Sequence, residues 1–296
     1  LFWAAKKGGA ELREFRESRE FKEFREAAKD VSLFCFFQYN SLFLGGFMGE
    51  SKCFLSMHKL LETAIFDYQM INPGDHILVG LSGGKDSSML LRLLARKKIQ
   101  TTNDYKISAV FVKMGFPKDD EISEYLHKFS GSLGVKFFEI EKSLEKIMAA
   151  EKKQACYLCS RTRRLALFDL ADEIGANVIA FGHHRDDFMQ TFMMNLFFNG
   201  SLEAMKPVNP FFKGKYRIIR PMLYIKESSV TAEAQNCGLK VFDSGCSFGK
   251  VSERAFIRSL LEEIYKHDDT ARNNIFKALY NQKPDFLLKK PSKDIL

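Results

Sequence analysis

Apolar residues bunch along this chain in two ways, and their alternation predicts its architecture. Short unbroken runs occur at Ile77-Leu78-Val79-Gly80-Leu81, Ile107 to Val112, Val135 to Ile140 and Asn177 to Phe181. They are too short for helices and too apolar for a surface, so they read as buried parallel strands. Between them, apolar positions recur at helical spacing. Met89, Leu90, Leu91, Leu93 and Leu94 follow the first run, and Ile122, Tyr125, Leu126, Phe129 and Leu133 the second. Leu165, Phe168, Leu170 and Ile174 precede the fourth, and a short helix is expected around Leu144 to Met148. A helix through Met57, Leu60, Leu61, Ala64, Ile65 and Tyr68 enters the first strand by the turn Asn72-Pro73-Gly74-Asp75. Beyond Glu227 the pattern is helical: Glu227 to Asn236 closed by Gly238, Ser252 to Lys266, and Ala271 to Tyr280. The predicted fold is α/β, a doubly wound, mainly parallel sheet with helical C-terminal additions. The chain then divides into a helix and turn at 48–75, the sheet domain at 76–250, C-terminal helices at 251–282 and a basic tail at 283–296.

Residues 1–47 do not share this pattern. From Leu12 to Glu26 apolar positions recur every three residues, and on a helix that stripe drifts by about 60° per repeat, leaving no lasting apolar face. Val31 to Phe47 is rich in Phe and Leu but is interrupted by Gln38, Asn40 and Ser41, short and polar for a membrane span. The charged stretch before it does not suit a signal peptide. The first methionine is Met48. The expectation is a low-complexity leader, with the native protein starting at or near Met48 and no membrane anchor.

Across 296 residues, 46% are hydrophobic, enough for a substantial core. The net charge of +8 fits a nucleic-acid partner. Residues 1–47 contribute only one unit of it, with eight Lys/Arg against seven Asp/Glu, so the basic character belongs to the body. Six cysteines at irregular spacing are no secreted disulfide framework, which points to the reducing cytoplasm.

The candidate chemistry starts where the first strand meets its helix, at Ser82-Gly83-Gly84-Lys85-Asp86-Ser87. Gly83 and Gly84 permit positive φ and close approach of a ligand to the backbone, and the helix beyond offers unpaired N–H groups. Such a turn holds a polyphosphate. Ser82 and Ser87 add hydroxyl donors, Lys85 a positive charge, and Asp86 either a magnesium contact or a helix cap. The spacing differs from that of P-loop NTPases. It resembles the Ser-Gly-Gly-x-Asp-Ser signature of the PP-loop, or N-type, ATP pyrophosphatases, which implies that the loop grips the β,γ-pyrophosphate of ATP while a substrate oxygen attacks the α-phosphate. By the same analogy the adenine lies near Phe111 to Phe116.

Cys156-Tyr157-Leu158-Cys159 is open to three readings: redox chemistry, half a zinc site, or two ligands of an iron–sulfur cluster. No second Cys-x-x-Cys exists to complete a zinc site. Cys246, in the Gly-flanked loop Asp243 to Gly249, can fold back on the pair. Three thiolates would hold a cubane cluster and leave one iron open to sulfide. Arg161, Arg163 and Arg164 follow the pair and offer phosphate contacts to an RNA, a surface that Lys206, Lys213, Lys215, Arg217 and Arg220 extend. Gly182-His183-His184-Arg185-Asp186-Asp187 follows the fourth strand at the edge where ligands of open sheets collect, so Gly182, His183 and Asp187 are ATP-site candidates. The alternative for Asp186 is a helix cap.

Taken together, the PP-loop, Cys-x-x-Cys-Ser-Arg-x-Arg-Arg, Gly-His-His-Arg-Asp-Asp, Arg220-Pro221-Met222-Leu223 and a late Gly-Cys resemble the tRNA-cytidine(32) 2-sulfurtransferase family over about Lys52 to Lys266. The resemblance implies an ATP- and magnesium-dependent enzyme that adenylates C2 of an anticodon-loop cytidine and replaces its oxygen with sulfur. It also implies a 4Fe-4S cluster on Cys156, Cys159 and Cys246, a tRNA partner, a cysteine desulfurase-type sulfur donor, and compatibility with a homodimer. Cys246 matches less closely, because it stands in Gly-Cys-Ser-Phe-Gly where some members carry Pro-Cys-Asn-Leu-Cys. Other readings are a 2-thiouridine synthetase, although the paired terminal cysteines usual there are absent, a lysidine synthetase, and a non-catalytic iron–sulfur sensor that binds tRNA or nucleotide.

Overall fold

Six strands form one sheet: β1 (His76–Leu81), β2 (Lys106–Lys113), β3 (Lys136–Glu141), β4 (Val178–Ala180), β5 (Val208–Phe211) and β6 (Tyr216–Ile219). Side by side they run β3-β2-β1-β4-β6-β5. Every neighbouring pair is parallel except β5 with β6. The computed structural model describes residues 50–100, 104–142, 152–242 and 253–288, without the side chains of Gln100 and residues 152–156. The chain falls into two compact units, Leu1–Leu55 and Ser56–Leu296, and the sheet belongs to the second. The leader, the helix expected around Leu144 to Met148, the Cys246 loop and most of the basic tail lie outside the described residues.

The helices are α1 (Lys52–Asp67), α2 (Lys85–Gln100), α3 (Asp119–Ser132), α4 (Lys152–Ile174), α5 (Arg185–Met194), α6 (Glu227–Asn236), α7 (Glu253–His267) and α8 (Ala271–Ala278). The sheet is buried on both faces, as its continuous apolar strands require. Leu78, Val110, Val112, Ile179 and Ile218 pack with Ala166, Leu167, Leu170 and Ala171 of α4. The alternate strand positions, among them Ile77, Val79, Ala109, Phe111, Val178, Ala180 and Ile219, are buried too. Helix α2 packs on β1 and β2, α3 on β2 and β3, and α7 and α8 on α5. The doubly wound, mainly parallel sheet is therefore present as expected, and no helix among the described residues is long and apolar enough to cross a membrane.

Three local features depart from the sequence reading. The strand boundaries shift, to Lys136–Glu141 and Val178–Ala180. The β5–β6 hairpin was not expected, because four-residue strands carry too little alternation to be seen, and Pro210 sits in the edge strand where a missing N–H is tolerated. Helix α4 begins well before the Leu165 to Ile174 stretch read from spacing and takes in Cys156 and Cys159, since no Gly or Pro interrupts the chain from Lys152 to Ile174.

Strand order decides where a ligand can enter. From β1 the chain builds outward through β2 to β3, then returns to place β4 on the other side of β1. The carboxyl ends of β1 and β4 therefore flank the switch point, the crevice in which open α/β sheets bind ligands.

Candidate ATP and sulfur-transfer site at the carboxyl edge

Residues Ser82, Gly83 and Gly84 fill the turn between β1 and α2. Gly83 adopts φ +76°, and a Cβ there would meet Ile122 Cγ2 at 2.8 Å. Hydroxyls brace the turn: Ser82 N–H donates to Ser87 Oγ (3.1 Å), Gly84 N–H to Ser82 Oγ (3.3 Å), and Ser87 Oγ–H to the Gly84 carbonyl (3.2 Å). Gly182, just past β4, lies against the same turn. A Cβ on it would stand 2.7 Å from the Asp86 carbonyl oxygen and 2.9 Å from Ser87 N. So Gly182 serves the loop by close backbone approach.

Lys85 and Asp86 begin α2. Lys85 Nζ lies 3.1 Å from Asp86 Oδ1 and 3.1 Å from Glu227 Oε1. Burial works to lower the Lys85 pKa, but the two carboxylates outweigh it and the result is raised. Asp86 moves up from the usual carboxylate range because burial outweighs the attraction of His184 and Lys85. Its Oδ1 is buried, 3.1 Å from Lys85 Nζ and 3.7 Å from His184 Nε2.

The Gly-His-His-Arg-Asp-Asp motif divides between site and scaffold. His183 is half-buried against Phe181, with its Nδ1 buried and making no hydrogen bond among the described residues. Burial, reinforced by Arg220 and Arg254 against the pull of Asp187, lowers its pKa to about 4, so the ring is neutral near pH 7. Asp187 accepts from His184 N–H (2.9 Å) and from Arg254 Nη1 (3.1 Å). Asp186 accepts from the Glu227 N–H (2.8 Å), which caps α6, and is paired with Arg272. Asp186 therefore does not cap its own helix, that of Phe188 and Phe192, as the alternative reading had it; it serves α6, while Asp187 closes the first turn of α5. Asp187 remains beside His183, with its carboxylate already engaged.

Arg220 stands at the end of β6, whose Ile219 pairs with Ala180. Its Nη1 donates to the Lys206 carbonyl (2.6 Å). Burial and the neighbouring Arg164 lower its pKa to about 10, leaving it charged. Arg163 lies 5.9 Å over the Phe116 ring, and the Nε atoms of Arg163 and Arg220 are buried without a hydrogen-bond partner among the described residues. The wider basic set splits. Arg220 belongs to this edge, whereas Arg217 binds Asp75 (2.6 Å) at the opposite edge and Lys215 pairs with Asp172.

Phe111 is buried within β2 opposite Leu81. Phe116, past the strand end, is half-buried. Its loop is clamped by Asp119, whose Oδ2 accepts the N–H groups of Met114 (2.6 Å), Gly115 (2.9 Å) and Phe116 (3.0 Å). Cys156 and Cys159 are three positions apart on α4, a spacing that brings two positions to one helix face. Cys159 is half-buried against the core cluster that also takes in Phe116. The Cys156 side chain and all of Cys246 lie outside the described residues. The chain leading to Cys246 is nonetheless anchored at the PP-loop, because Phe242 N–H donates to the Gly83 carbonyl (3.0 Å). Of the four sites named from sequence, the ATP loop, the Gly182 motif and the Arg163–Arg164 stretch of α4 thus share the carboxyl edge.

A PP-loop domain family matches residues 56–264. A tRNA-cytidine(32) 2-sulfurtransferase of Nitrosospira multiformis is 35% identical over 80% of this chain and 80% of its own. The enzyme of that name from Pelobacter propionicus is 34% identical over 81% of this chain and 91% of its own. The chain belongs to the tRNA-cytidine(32) 2-sulfurtransferase family, and so is a PP-loop tRNA sulfurtransferase. Among solved structures, the U34-tRNA thiolase NcsA from Methanococcus maripaludis with its [4Fe-4S] cluster matches with a TM-score of 0.65, at 22% identity over 79% of this chain and 82% of that one. That likeness supports the fold.

The carboxyl edge of this chain draws on residues that the sequence reading did not single out: His184, Asp119, Glu227, Arg254, Arg258 and Arg272. Each acts across a long sequence separation or through a backbone group. Arg254, Arg258 and Arg272 look like solvated charges on the C-terminal helices, yet they pair with Asp187, Glu227 and Asp186. Only tertiary structure reveals that these helices are tied to the site.

Proposed function

We propose that this sulfurtransferase adenylates the C2 oxygen of the cytidine at position 32 of the tRNA anticodon loop and replaces it with sulfur, yielding 2-thiocytidine, AMP and pyrophosphate. The observation that carries the reading is the convergence at one sheet edge of a PP-loop, a cysteine-bearing helix and a set of under-bonded arginines. The turn N–H groups and Lys85 grip the β,γ-phosphates. Asp86, a half-buried carboxylate at the start of α2, is suited to a magnesium ion that neutralises the phosphates. The C2 oxygen attacks the α-phosphorus, the bond to pyrophosphate breaks, and Lys85 stabilises the departing charge. Sulfur then bonds to C2, and AMP leaves carrying the original oxygen.

The donor set fits a 4Fe-4S cluster, since thiolates are the ligands such clusters take and two of the three stand at i and i+3 on α4. Cys156, Cys159 and Cys246 would hold it, and its chemistry when bound is sulfur delivery, with one iron left open to sulfide. The chain's own contribution is placement. Cys159 and Phe116 pack on one apolar core, and Arg163 lies over Phe116, so α4 and its cysteines stand beside the region read as the adenine pocket, against an apolar wall that excludes water. Arg161, Arg163 and Arg164 would bind the anticodon-stem phosphates, and unstacking of the target base would give selectivity. His183, neutral by burial, is suited to hydrogen bonding near the α-phosphate without adding charge. A cysteine desulfurase-type sulfur donor, a homodimer and a cytoplasmic location accompany this reading.

The test is anaerobic purification with measurement of iron, acid-labile sulfide and the visible spectrum, followed by nucleoside analysis of tRNA treated with ATP, magnesium and sulfide. Brown protein that forms 2-thiocytidine, with colour and product lost in Cys156→Ala, is the expected result. Colourless protein that releases AMP on tRNA but forms no thionucleoside would overturn it.

A further inference from the structure

Lys85 has a second carboxylate partner, 142 residues further along the chain. Glu227 opens α6, and three contacts hold it still. Its N–H donates to Asp186 Oδ2 (2.8 Å), both carboxylate oxygens accept from Arg258 Nη2, and Oε1 accepts from Lys85 Nζ (3.1 Å). Against burial, which favours the neutral acid, Arg258 and Lys85 hold the Glu227 pKa near about 2, so it is ionised throughout the working range. The side chains of Lys85 and Glu227 are 20% and 22% exposed, less screened than a surface pair. Asp186, which fixes the Glu227 backbone, is itself held by Arg272 of α8.

We infer that Glu227 is a positioning residue for Lys85, and that Arg258 of α7 acts on the ATP loop through it. The inference rests on the reading in which Lys85 grips the pyrophosphate. A free lysine side chain samples many rotamers, and a nucleotide must offset that entropy if it has to order the ammonium itself. With Glu227 fixed from two sides, the Lys85 stem is ordered before ATP arrives, and binding costs less. Asp86 cannot do this alone, because as the residue next to Lys85 it moves with the same turn. The C-terminal helices thus belong to the ATP site although none of their residues need touch the nucleotide.

A merely structural staple between α6 and α7 would change melting temperature and leave nucleotide affinity alone, so affinity is the readout. Binding of a non-hydrolysable ATP analogue with magnesium is measured by calorimetry on the full chain and on Lys85→Ala, Glu227→Gln, Glu227→Asp, Arg258→Gln and the Glu227→Gln/Arg258→Gln double variant. Lys85→Ala is expected to abolish most binding. Glu227→Gln should weaken it roughly 5- to 10-fold and Glu227→Asp less, while in turnover KM for ATP rises with kcat nearly unchanged, the mark of lost uniform binding. Arg258→Gln should weaken binding in the same direction, and the double variant no further than Glu227→Gln alone, since both act through one contact. Wild-type affinity in Glu227→Gln, or additive losses in the double variant, would overturn the inference while weak binding by Lys85→Ala leaves the ATP-loop reading standing. Wild-type affinity in Lys85→Ala would overturn both. Arg258→Gln keeps the test alive if Glu227→Gln does not fold.

Discussion

The two edges of the sheet are built from similar residues and put to different uses. At the amino edge Asp75 satisfies itself completely: one oxygen accepts from Asn72 N–H (2.7 Å) and Arg217 Nη2 (2.6 Å), the other from Asn177 Nδ2 (2.8 Å). Asn177 in turn receives the His76 N–H (2.9 Å), and His76 Nε2 is 2.9 Å from Ser108 Oγ. These bonds tie β1, β2, β4 and β6 together at their starts. At the carboxyl edge His183 Nδ1, Arg163 Nε and Arg220 Nε are buried with no hydrogen bond among the described residues, whereas the amino edge leaves Arg217 Nε. Burying polar groups without partners costs stability. A fold keeps such groups where a ligand will supply the missing partners, so one edge holds the strands in register and the other is left ready to bind.

The sharpest way to break this contrast is at a pair of glycines. Gly182→Ala drives a Cβ into the Asp86 and Ser87 backbone, which cannot swing aside as a side chain would. Binding of the ATP analogue should fall at least 100-fold. Gly74→Ala, at the amino edge with φ +83° and nothing within 4 Å, should cost about 1 kcal/mol of stability and leave ATP affinity unchanged. Equal effects of the two on ATP binding would deny any special packing at Gly182.

Next in size is the amino-edge staple. Asp75→Ala strands Arg217 and Asn177 and should cost about 2–3 kcal/mol in denaturant melts, below the full cost of a buried pair because Arg217 is 25% exposed. A loss under 0.5 kcal/mol would show that the sheet does not need this anchor.

A smaller effect follows from His183. Its folded pKa, about 4, lies below the ordinary 6.5, so the unfolded chain takes up a proton first as pH falls. The stability this contributes is full above pH 6.5, declines between 6.5 and 4, and is gone below. His183→Gln should flatten that decline by up to about 3 kcal/mol, read from melts at pH 7, 6, 5 and 4. An unchanged slope would mean that His183 titrates normally. Asp86, shifted upward by burial, works the other way: its charged form costs stability, and protonation as pH falls through its folded pKa relieves that cost. The smallest effect is expected at Lys215→Ala, whose exposed pair with Asp172 should leave the melting temperature nearly unchanged.

Much of this division could be read along the chain, because the determinants are local. The strand runs, the PP-loop and the helical spacing of α2 and α3 are contiguous, and each element reports its own period. What stayed hidden depends on partners far apart in sequence. Nothing around Glu227 distinguishes a helix-opening glutamate from one held by Lys85 and Arg258, and nothing around Arg217 or Arg220 tells which faces the staple and which the site. Alternate residues of one short strand, too weak to be recognised, carry the chain between these two arginines. The cysteine pair was legible as chemistry but not as helix, since its metal-ligand spacing is also a helical spacing.

The division between edges is tested most directly by tRNA-dependent AMP release, measured for wild type, Asp86→Asn and Asp75→Asn at a temperature where all three are folded. Release by wild type and Asp75→Asn, with almost none from Asp86→Asn, is the expected result. Equal loss in both variants, or release that persists in Asp86→Asn, would contradict the assignment of chemistry to the carboxyl edge.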